Sequence, residues 1–388
     1  MTTTPLPTDA ALAQAQADLD AGRLQRALDA MRTVAAGDAP VATRTEALRL
    51  QGLAAFLLGE HGEAADASQA LLDLLGDHAV TYPSRIAVLA VSVVAAGKLA
   101  RFDQSLGHLQ KLLSAASRGG SFDDYVRARG TAATCFALLG DPWAGQRLLS
   151  ELLGLFQGLP SEAPLEASTR NRHAAVCLGI ARQARDAGDD TGCNEAIEHA
   201  DASLQRVREI VRATGDARRG AIAEIYGCEM ALARGDAADA ASRLQAIVVQ
   251  ADAAGLPAHA RLLRVMQAEA CSTAGEPERA LALLREVDPA LREGHCLGLR
   301  IRCLHQLQRA CAAVGAHQEA LEHAARARQI ELHLLYQQMH AQSRYLRTRL
   351  ELEHLYRYRA NASRSISSRP GALAAAAALS DDAKGAPR

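Results

Sequence analysis

Apolar residues recur every three to four positions along most of this chain, which is the period of an amphipathic helix. A turn residue interrupts the helical pattern at fairly regular intervals. The turn positions are Gly22, Gly59, Ala100, Gly140, Gly188, Gly235, Gly275 and Gly315. Their spacing is mostly about 40 residues, which leaves room for two helices between successive turns. The pattern therefore predicts an all-α protein of about eight helix pairs.

The helix pairs share an internal pattern around the turn glycine. A small residue lies seven positions before it and Ala lies five positions after it. The clearest triplets are Gly52, Gly59 and Ala64; Cys228, Gly235 and Ala240; and Ala268, Gly275 and Ala280. Gly at the turn takes a left-handed conformation at low cost and ends the first helix. The small residues let the two helices approach closely, so we expect them to be buried.

This unit resembles the tetratricopeptide repeat (TPR). The resemblance covers residues 8–328 and implies a right-handed superhelical solenoid whose first helices line a concave groove. The long repeat is similar to the arrays of MalT-like regulators and of Rap-type proteins, and to those ahead of some GGDEF diguanylate cyclase domains. Binding of a protein or peptide in the groove is what the resemblance implies.

Composition narrows the class further. The hydrophobic share is 49% and the aromatic share only 3%, which favours closely packed helices over sheets. The formal net charge of −1 gives no broad field for nucleic acid or an acidic membrane. The longest apolar stretch, Ile86 to Ala96, is about half of the roughly 20 residues that span a bilayer. We expect a cytoplasmic protein without membrane insertion or nucleic-acid binding.

Groove-facing positions follow from the register of the turn glycines. A groove with arginines at both ends and glutamates between them suits a peptide of alternating charge or a carboxylate, because Arg pairs bidentately with carboxylates. Solvated surface arginine is the alternative for each position. The candidates are Asn171, Arg182, Arg185, Glu229, Glu269, Arg302, His305 and Arg309.

Metal and catalytic signals are weak. The eight Cys lack a CxxC pair, which is typical of reduced thiols used as small apolar residues. Cys296, Cys303 and Cys311 lie near one helical face, with His295 and His305 in the same segment, but packing explains that spacing better than zinc does. The sequence has no Gly-rich phosphate loop and none of the HExxH, GxSxG and GGDEF motifs of metalloproteases, serine hydrolases and diguanylate cyclases. The acidic pairs Asp123 with Asp124 and Asp381 with Asp382 indicate a helix cap and a low-complexity tail. We predict no enzyme, cofactor or metal site.

The last helix is the longest one predicted. It carries an apolar stripe that either caps the array or pairs with a partner helix, for example as a homodimer. The segment Ser343 to His354 resembles the stalk ahead of GGDEF domains, although no such domain follows it. The predicted divisions are a disordered start over 1–7, the solenoid over 8–328, an extended helix over 329–360 and a disordered tail over 361–388. The stripe residues are Leu332, Leu335, Met339, Leu346, Leu350 and Leu355.

The sequence thus favours a non-enzymatic protein- or peptide-binding scaffold or adaptor in bacterial signalling. Two alternatives stay open: a regulatory module of a diguanylate cyclase system whose cyclase is lost or supplied by a partner, and a small-molecule sensor of the MalT type.

Overall fold

The computed structural model describes residues 8–76, 78, 84–118, 121–156, 162–253, 257–291 and 296–367. Side chains are described for the same residues except 8, 249–253, 257–258 and 351–367. The predicted segment 1–7, the predicted tail from 368 onward (with Asp381 and Asp382), His295 and the side chain of Leu355 lie outside these ranges.

The described residues form sixteen α-helices and contain no strand, as the 3.6-residue pattern predicts. A short 3₁₀ helix, Asp288–Leu291, follows the fourteenth helix. The helices are α1 (Thr8–Asp20), α2 (Leu24–Ala36), α3 (Val41–Leu58), α4 (His61–Leu75), α5 (Arg85–Lys98), α6 (Phe102–Ser117), α7 (Phe122–Leu138), α8 (Pro142–Gly154), α9 (Ala163–Asp186), α10 (Asp190–Thr214), α11 (Ala217–Arg234), α12 (Ala237–Ala253), α13 (Pro257–Thr273), α14 (Pro277–Val287), α15 (Leu297–Ala313) and α16 (His317–Ser367).

Consecutive helices pair as A helices (odd-numbered) and B helices (even-numbered), which gives eight repeats. The core is a series of local clusters. One runs from Ala15 to Ala95 over the first three repeats, and another runs from Val265 to Ala327 over the last two. Each cluster draws on neighbouring pairs, as expected when a repeat cannot bury its own faces. The all-α repeat solenoid predicted from the sequence is confirmed.

The turns between A and B helices are where the sequence places them. All eight predicted turn residues have a positive φ, including Ala100 at 59°. At Gly59 and Gly235 this residue caps the A helix in the left-handed conformation. The expected small B-helix residues are buried, for example Ala64, Ala240 and Ala280. Turn and contact positions therefore follow the repeat pattern.

Acidic residues begin several B helices. The Asp141 carboxylate accepts a hydrogen bond from the backbone N–H of Ala144 at 2.9 Å, and Asp189 accepts one from Gly192 at 2.9 Å. Such caps satisfy amide groups that lack a partner within the helix. The pair Asp123 and Asp124 also belongs to a cap, since Ser121 and Asp124 form a capping box at the start of α7.

Side chains from other repeats bind carbonyl groups at the C-terminal ends of A helices. Arg185 Nη1 donates to the Leu232 oxygen at 3.2 Å, and Gln338 Nε2 donates to the Leu138 oxygen at 3.3 Å. Arg261 Nη2 donates to the Leu58 oxygen. Carbonyls in the last turn of a helix lack an intrahelical partner, and a helix C-terminus favours a cationic donor. The Leu232 carbonyl also accepts the capping N–H of Gly235 at 3.1 Å. The contacts of Gln338 and Arg261 join repeats that are far apart in the sequence.

The chain divides into two compact units, Met1–His340 and Ala341–Arg388. The first contains α1 to α15 and the beginning of α16. The second contains the rest of α16, which is helical to Ser367. Among the described helices, none has the length and apolar character that crossing a membrane requires.

Candidate functional site

Four predicted groove residues form one charged cluster on the A helices. Arg302 of α15 donates through Nη1 to Glu229 of α11 at 2.9 Å and through Nη2 to Glu269 of α13 at 2.8 Å. Arg182 of α9 also forms an ion pair with Glu229. Arg302 of the eighth repeat thus reaches Glu229 of the sixth across the intervening seventh repeat.

The cluster balances its own charge but leaves one cation accessible. The Glu229 side chain is only 7% exposed, whereas 45% of the Arg182 side chain is exposed. The surrounding helices still withdraw water from the Arg182 guanidinium, and this desolvation, together with the charge of Arg302, lowers its pKa to about 10. Arg182 stays protonated at neutral pH, so the cluster presents an accessible cation held by a buried carboxylate.

The other four predicted groove residues do not join this cluster. Asn171 is buried and donates to the Arg219 carbonyl at 3.2 Å. Arg185 caps α11 through Leu232. His305 Nε2 lies 2.7 Å from a Glu331 carboxylate oxygen, which links α15 to α16. Arg309 is exposed. Asn171, Arg185 and His305 thus hold neighbouring helices together.

Arg172 of α9 is a cation that the sequence analysis missed. Its guanidinium packs against Gly130 of α7, where an added Cβ would overlap Nη1. Among the described residues, no hydrogen-bond or ion-pair partner of Arg172 is found. Burial and the charge of Arg127 lower its pKa. Tyr226 lies close enough for the charges of both Arg172 and Arg182 to act on its hydroxyl.

A second group of basic side chains gathers where the third, sixth and seventh repeats meet. Burial and the charges of Lys98 and Arg218 lower the His259 pKa to about 4. His259 Nδ1 is buried without a hydrogen-bond partner. The Lys98 ammonium lies 5.7 Å from the centre of the Phe56 ring, an arrangement that stabilises a cation. These residues form a basic region without an ion-paired carboxylate among the described residues.

Cys177 and His173 are a candidate nucleophile and base, with 3.7 Å between Sγ and Nε2. Burial raises the pKa of the Cys177 thiol to about 12 and lowers that of His173 to about 4. The His173 ring nitrogens already contact Ser150 at 3.1 Å and Ser203 at 2.9 Å. A reactive cysteine needs a lowered thiol pKa. The pair is therefore a neutral, hydrogen-bonded part of the core.

The C-terminal helix presents large apolar side chains to solvent. In the first unit the exposed fractions are 49% for Leu332, 52% for Leu335 and 69% for Met339. In the second unit they are 46% for Leu346 and 64% for Leu350. Gln338 of the same helix binds the turn of the fourth repeat through Leu138. The helix therefore contacts the array through a polar side chain while much of its apolar stripe is exposed.

Comparison with known proteins places the fold in the class of helical repeats. No protein-family model matches the chain, and no curated protein matches it. Solved structures do match. A Rap protein complexed with competence and sporulation factor aligns with a TM-score of 0.51 and 11% identity, over 85% of this chain and 99% of that one. This similarity shows a shared TPR-type fold.

Two further TPR structures are more distant. A tetratricopeptide repeat protein from Parabacteroides merdae ATCC 43184 aligns with a TM-score of 0.44 and 12% identity, over 78% of this chain and 98% of that chain. A putative kinesin light chain from Podosopora anserina, with nearly identical TPR-like repeats, aligns with a TM-score of 0.38 and 20% identity. That alignment covers 54% of this chain and 96% of the other.

Proposed function

We propose that this protein is a non-enzymatic scaffold that binds an acidic peptide or protein segment on the concave side of its repeat array. The observation that carries the proposal is the pairing of four A helices through Arg182, Glu229, Glu269 and Arg302. Such a cluster fixes the spacing of the helices that form the groove. A ligand then meets a preorganised surface, which reduces the entropy lost on binding.

The acidic character of the ligand follows from Arg172. A guanidinium without a carboxylate partner forms strong bidentate hydrogen bonds with a carboxylate. Arg182, further along the same helix, is half-exposed and already held in place by Glu229. Lys98 and Arg218, which lie near the neutral His259, add positive charge elsewhere in the array. The Rap protein of similar fold was solved with competence and sporulation factor bound, which is in keeping with a ligand-binding array.

The test starts from selection of binding peptides out of a random displayed library, followed by fluorescence anisotropy with the selected sequences. We expect Asp, Glu or a free terminal carboxylate to be enriched. Arg172→Gln should weaken binding about tenfold, which corresponds to the loss of one charge-assisted hydrogen bond. Arg212→Gln on the exposed side of α10 is the matched control and should change nothing. Selection of neutral or basic peptides, or equal affinity of Arg172→Gln and wild type, would refute the proposal.

The exposed stripe of α16 favours a second role in docking, and we propose that it pairs with another copy of this chain. Leu332, Leu335 and Met339 recur at spacings of three and four, as in the contact stripe of a helix pair. Leu335→Glu with Met339→Glu should convert a dimer into a monomer in light scattering after size exclusion. His333→Glu, an exposed neighbour, should keep the dimer. A monomeric wild type at all concentrations would exclude this pairing.

In this proposal residues 8–328 bind the ligand, and residues 329–360 pair with another copy of the chain. Service as the regulatory half of a cyclase system would use both parts, with α16 as the output element. Binding of an acidic peptide that changes the dimer affinity would support that use.

A further inference from the structure

Three potential metal ligands meet at the last turn of the array. Cys311 lies near the end of α15, and Glu319 and His323 lie in the first two turns of α16. One ligand atom from each residue lies within 4.8 Å of the other two. The distance from Cys311 Sγ to Glu319 Oε2 is 3.7 Å. Glu319 and His323 are four residues apart, so they share one helical face.

The surroundings leave this group available for an ion. His323 Nδ1 is buried and has no hydrogen-bond partner, which is a cost that a metal bond would remove. Cys311 is buried and free of any disulfide. Glu319 accepts a hydrogen bond from Arg285 at 2.8 Å, and 58% of the Arg285 side chain is exposed. An exposed ion pair of this kind is weak. Arg285 can therefore move away from the carboxylate or orient it.

The donor set indicates the kind of ion. Zinc binds sulfur at about 2.3 Å and nitrogen or oxygen at about 2.0–2.2 Å, so its tetrahedral ligands lie about 3.5 Å apart. The Sγ to Oε2 distance of 3.7 Å is close to that value. Calcium and magnesium prefer oxygen ligands only. A set of one sulfur, one nitrogen and one carboxylate suits zinc and the neighbouring divalent transition metals.

We propose that Cys311, Glu319 and His323 bind a divalent transition metal of the zinc class, with the fourth position open to water or an external ligand. The thiol of Cys311 releases its proton to solvent and binds as the thiolate, the carboxylate of Glu319 binds through one oxygen and the imidazole of His323 binds as the neutral ring. This set differs from the row of Cys296, Cys303 and Cys311 that the sequence suggested and that packing explains better.

A metal at this point would control the direction of α16. Two ligands come from α16 and one from α15, so the ion would fix the angle between these two helices. The same helix reaches the fourth repeat through Gln338 and carries the exposed stripe. Metal occupancy would thus regulate how the docking helix is presented.

The test is titration of the full-length, chelator-treated and reduced protein with Co²⁺, followed by displacement with Zn²⁺. A cobalt–thiolate bond gives a near-ultraviolet charge-transfer band, and tetrahedral cobalt gives intense visible bands. We expect both bands to saturate at one ion per chain and Zn²⁺ to abolish them. Cys311→Ser should remove the charge-transfer band. His323→Ala should weaken cobalt binding about 100-fold, the upper end of the losses seen even for supporting partners of metal ligands.

The controls separate this site from incidental binding and from loss of folding. Cys296→Ser changes a partly exposed thiol at the start of α15, the opposite end of the helix from Cys311, and should leave the spectrum unchanged. Circular dichroism of each metal-free variant verifies that the helices are intact. Absence of a charge-transfer band in the wild type would overturn the proposal, and so would a band that persists in Cys311→Ser. Neither result depends on whether a peptide binds the concave side.

Discussion

Arg302 of α15 binds Glu229 of α11 at 2.9 Å, although a whole repeat separates these two A helices. The same guanidinium binds Glu269 of the intervening α13 at 2.8 Å. Glu229 is almost fully buried and also pairs with Arg182. A buried carboxylate is stable only when its charge is compensated, and Glu229 in turn offsets the repulsion between the two arginines that pair with it. Glu229 is therefore the residue on which the cluster depends.

Glu229→Gln should lower the free energy of unfolding by about 2 kcal/mol, because the change removes charge-assisted hydrogen bonds and leaves two arginines close together. Urea unfolding followed by circular dichroism measures the change. Glu278→Gln at an exposed position of α14 should shift stability by less than about 0.5 kcal/mol. Equal stability of the two variants would mean that the cluster does not stabilise the array.

Two Gly→Ala changes inside helices should have opposite effects. A Cβ at Gly145 of α8 would lie 2.6 Å from the backbone oxygen of Ala133, so Gly145→Ala should destabilise the protein by about 1–3 kcal/mol. A Cβ at Gly107 of α6 meets no atom within 4 Å, so Gly107→Ala should stabilise by about 0.5–1 kcal/mol. Thermal unfolding of both variants checks the signs, and stabilisation by Gly145→Ala would contradict the helix spacing.

Stability should decline in mild acid because of buried histidines. Burial lowers the pKa of His108 and of His173 from the ordinary 6.5 to about 4. Above about pH 6.5 neither state binds the proton. Between about pH 6.5 and 4 the unfolded chain is protonated at these residues and the folded chain is not. Each histidine should therefore cost about 1.4 kcal/mol of stability per pH unit as the pH falls through this window.

Urea unfolding at about pH 7.5, above the window, and at about pH 6 and 5, within it, measures the slope. His108→Gln should reduce the stability lost on acidification by about 1.4 kcal/mol per pH unit, because it removes one of the titrating groups. The exposed His333 is the control position, and His333→Gln should follow the wild type. An unchanged acid slope in His108→Gln would exclude the buried ring as its source.

Gln338→Ala should loosen the beginning of the docking helix. The side chain donates to the Leu138 carbonyl at the end of α7, and its loss leaves that carbonyl without this donor. We expect faster amide hydrogen exchange in residues 329–340, with unchanged exchange in α1 to α4. His333→Ala serves as the control on the same helix. Unchanged exchange in Gln338→Ala would show that other contacts hold this segment.

Much of the fold is predictable from the sequence because the turn residue and the small contact residues of each repeat lie close together in the sequence. The turn at Ala100 illustrates this, since the spacing alone identified it and its φ of 59° is the one positive value of a non-glycine residue in the part of the chain that the structure describes. The small positions Gly52 and Cys228 are likewise buried between helices. These features depend on neighbours within about 40 residues of sequence.

The candidate site is less predictable because it depends on how repeats curve around each other. The helical register placed Arg182, Glu229, Glu269 and Arg302 on the same side, but it could not show that Arg302 reaches Glu229 across a repeat. Arg172 was missed because its position depends on the absence of a side chain at Gly130, on a different helix. The helix ends capped by Arg185 and Arg261 also depend on distances between repeats. The spacing of residues in the sequence determines which face of a helix they share, whereas the packing of the repeats determines which residues on different helices meet.

The contact from Arg261 to the Leu58 carbonyl gives the array a mechanical property. A helical-repeat array in which only successive repeats pack together extends elastically under tension, because each repeat rotates slightly against the next. Here the seventh repeat is bonded to the second, so the pitch between those coils cannot increase until that bond breaks. The array should be stiff at small extensions and soften after a single rupture, before any helix unfolds.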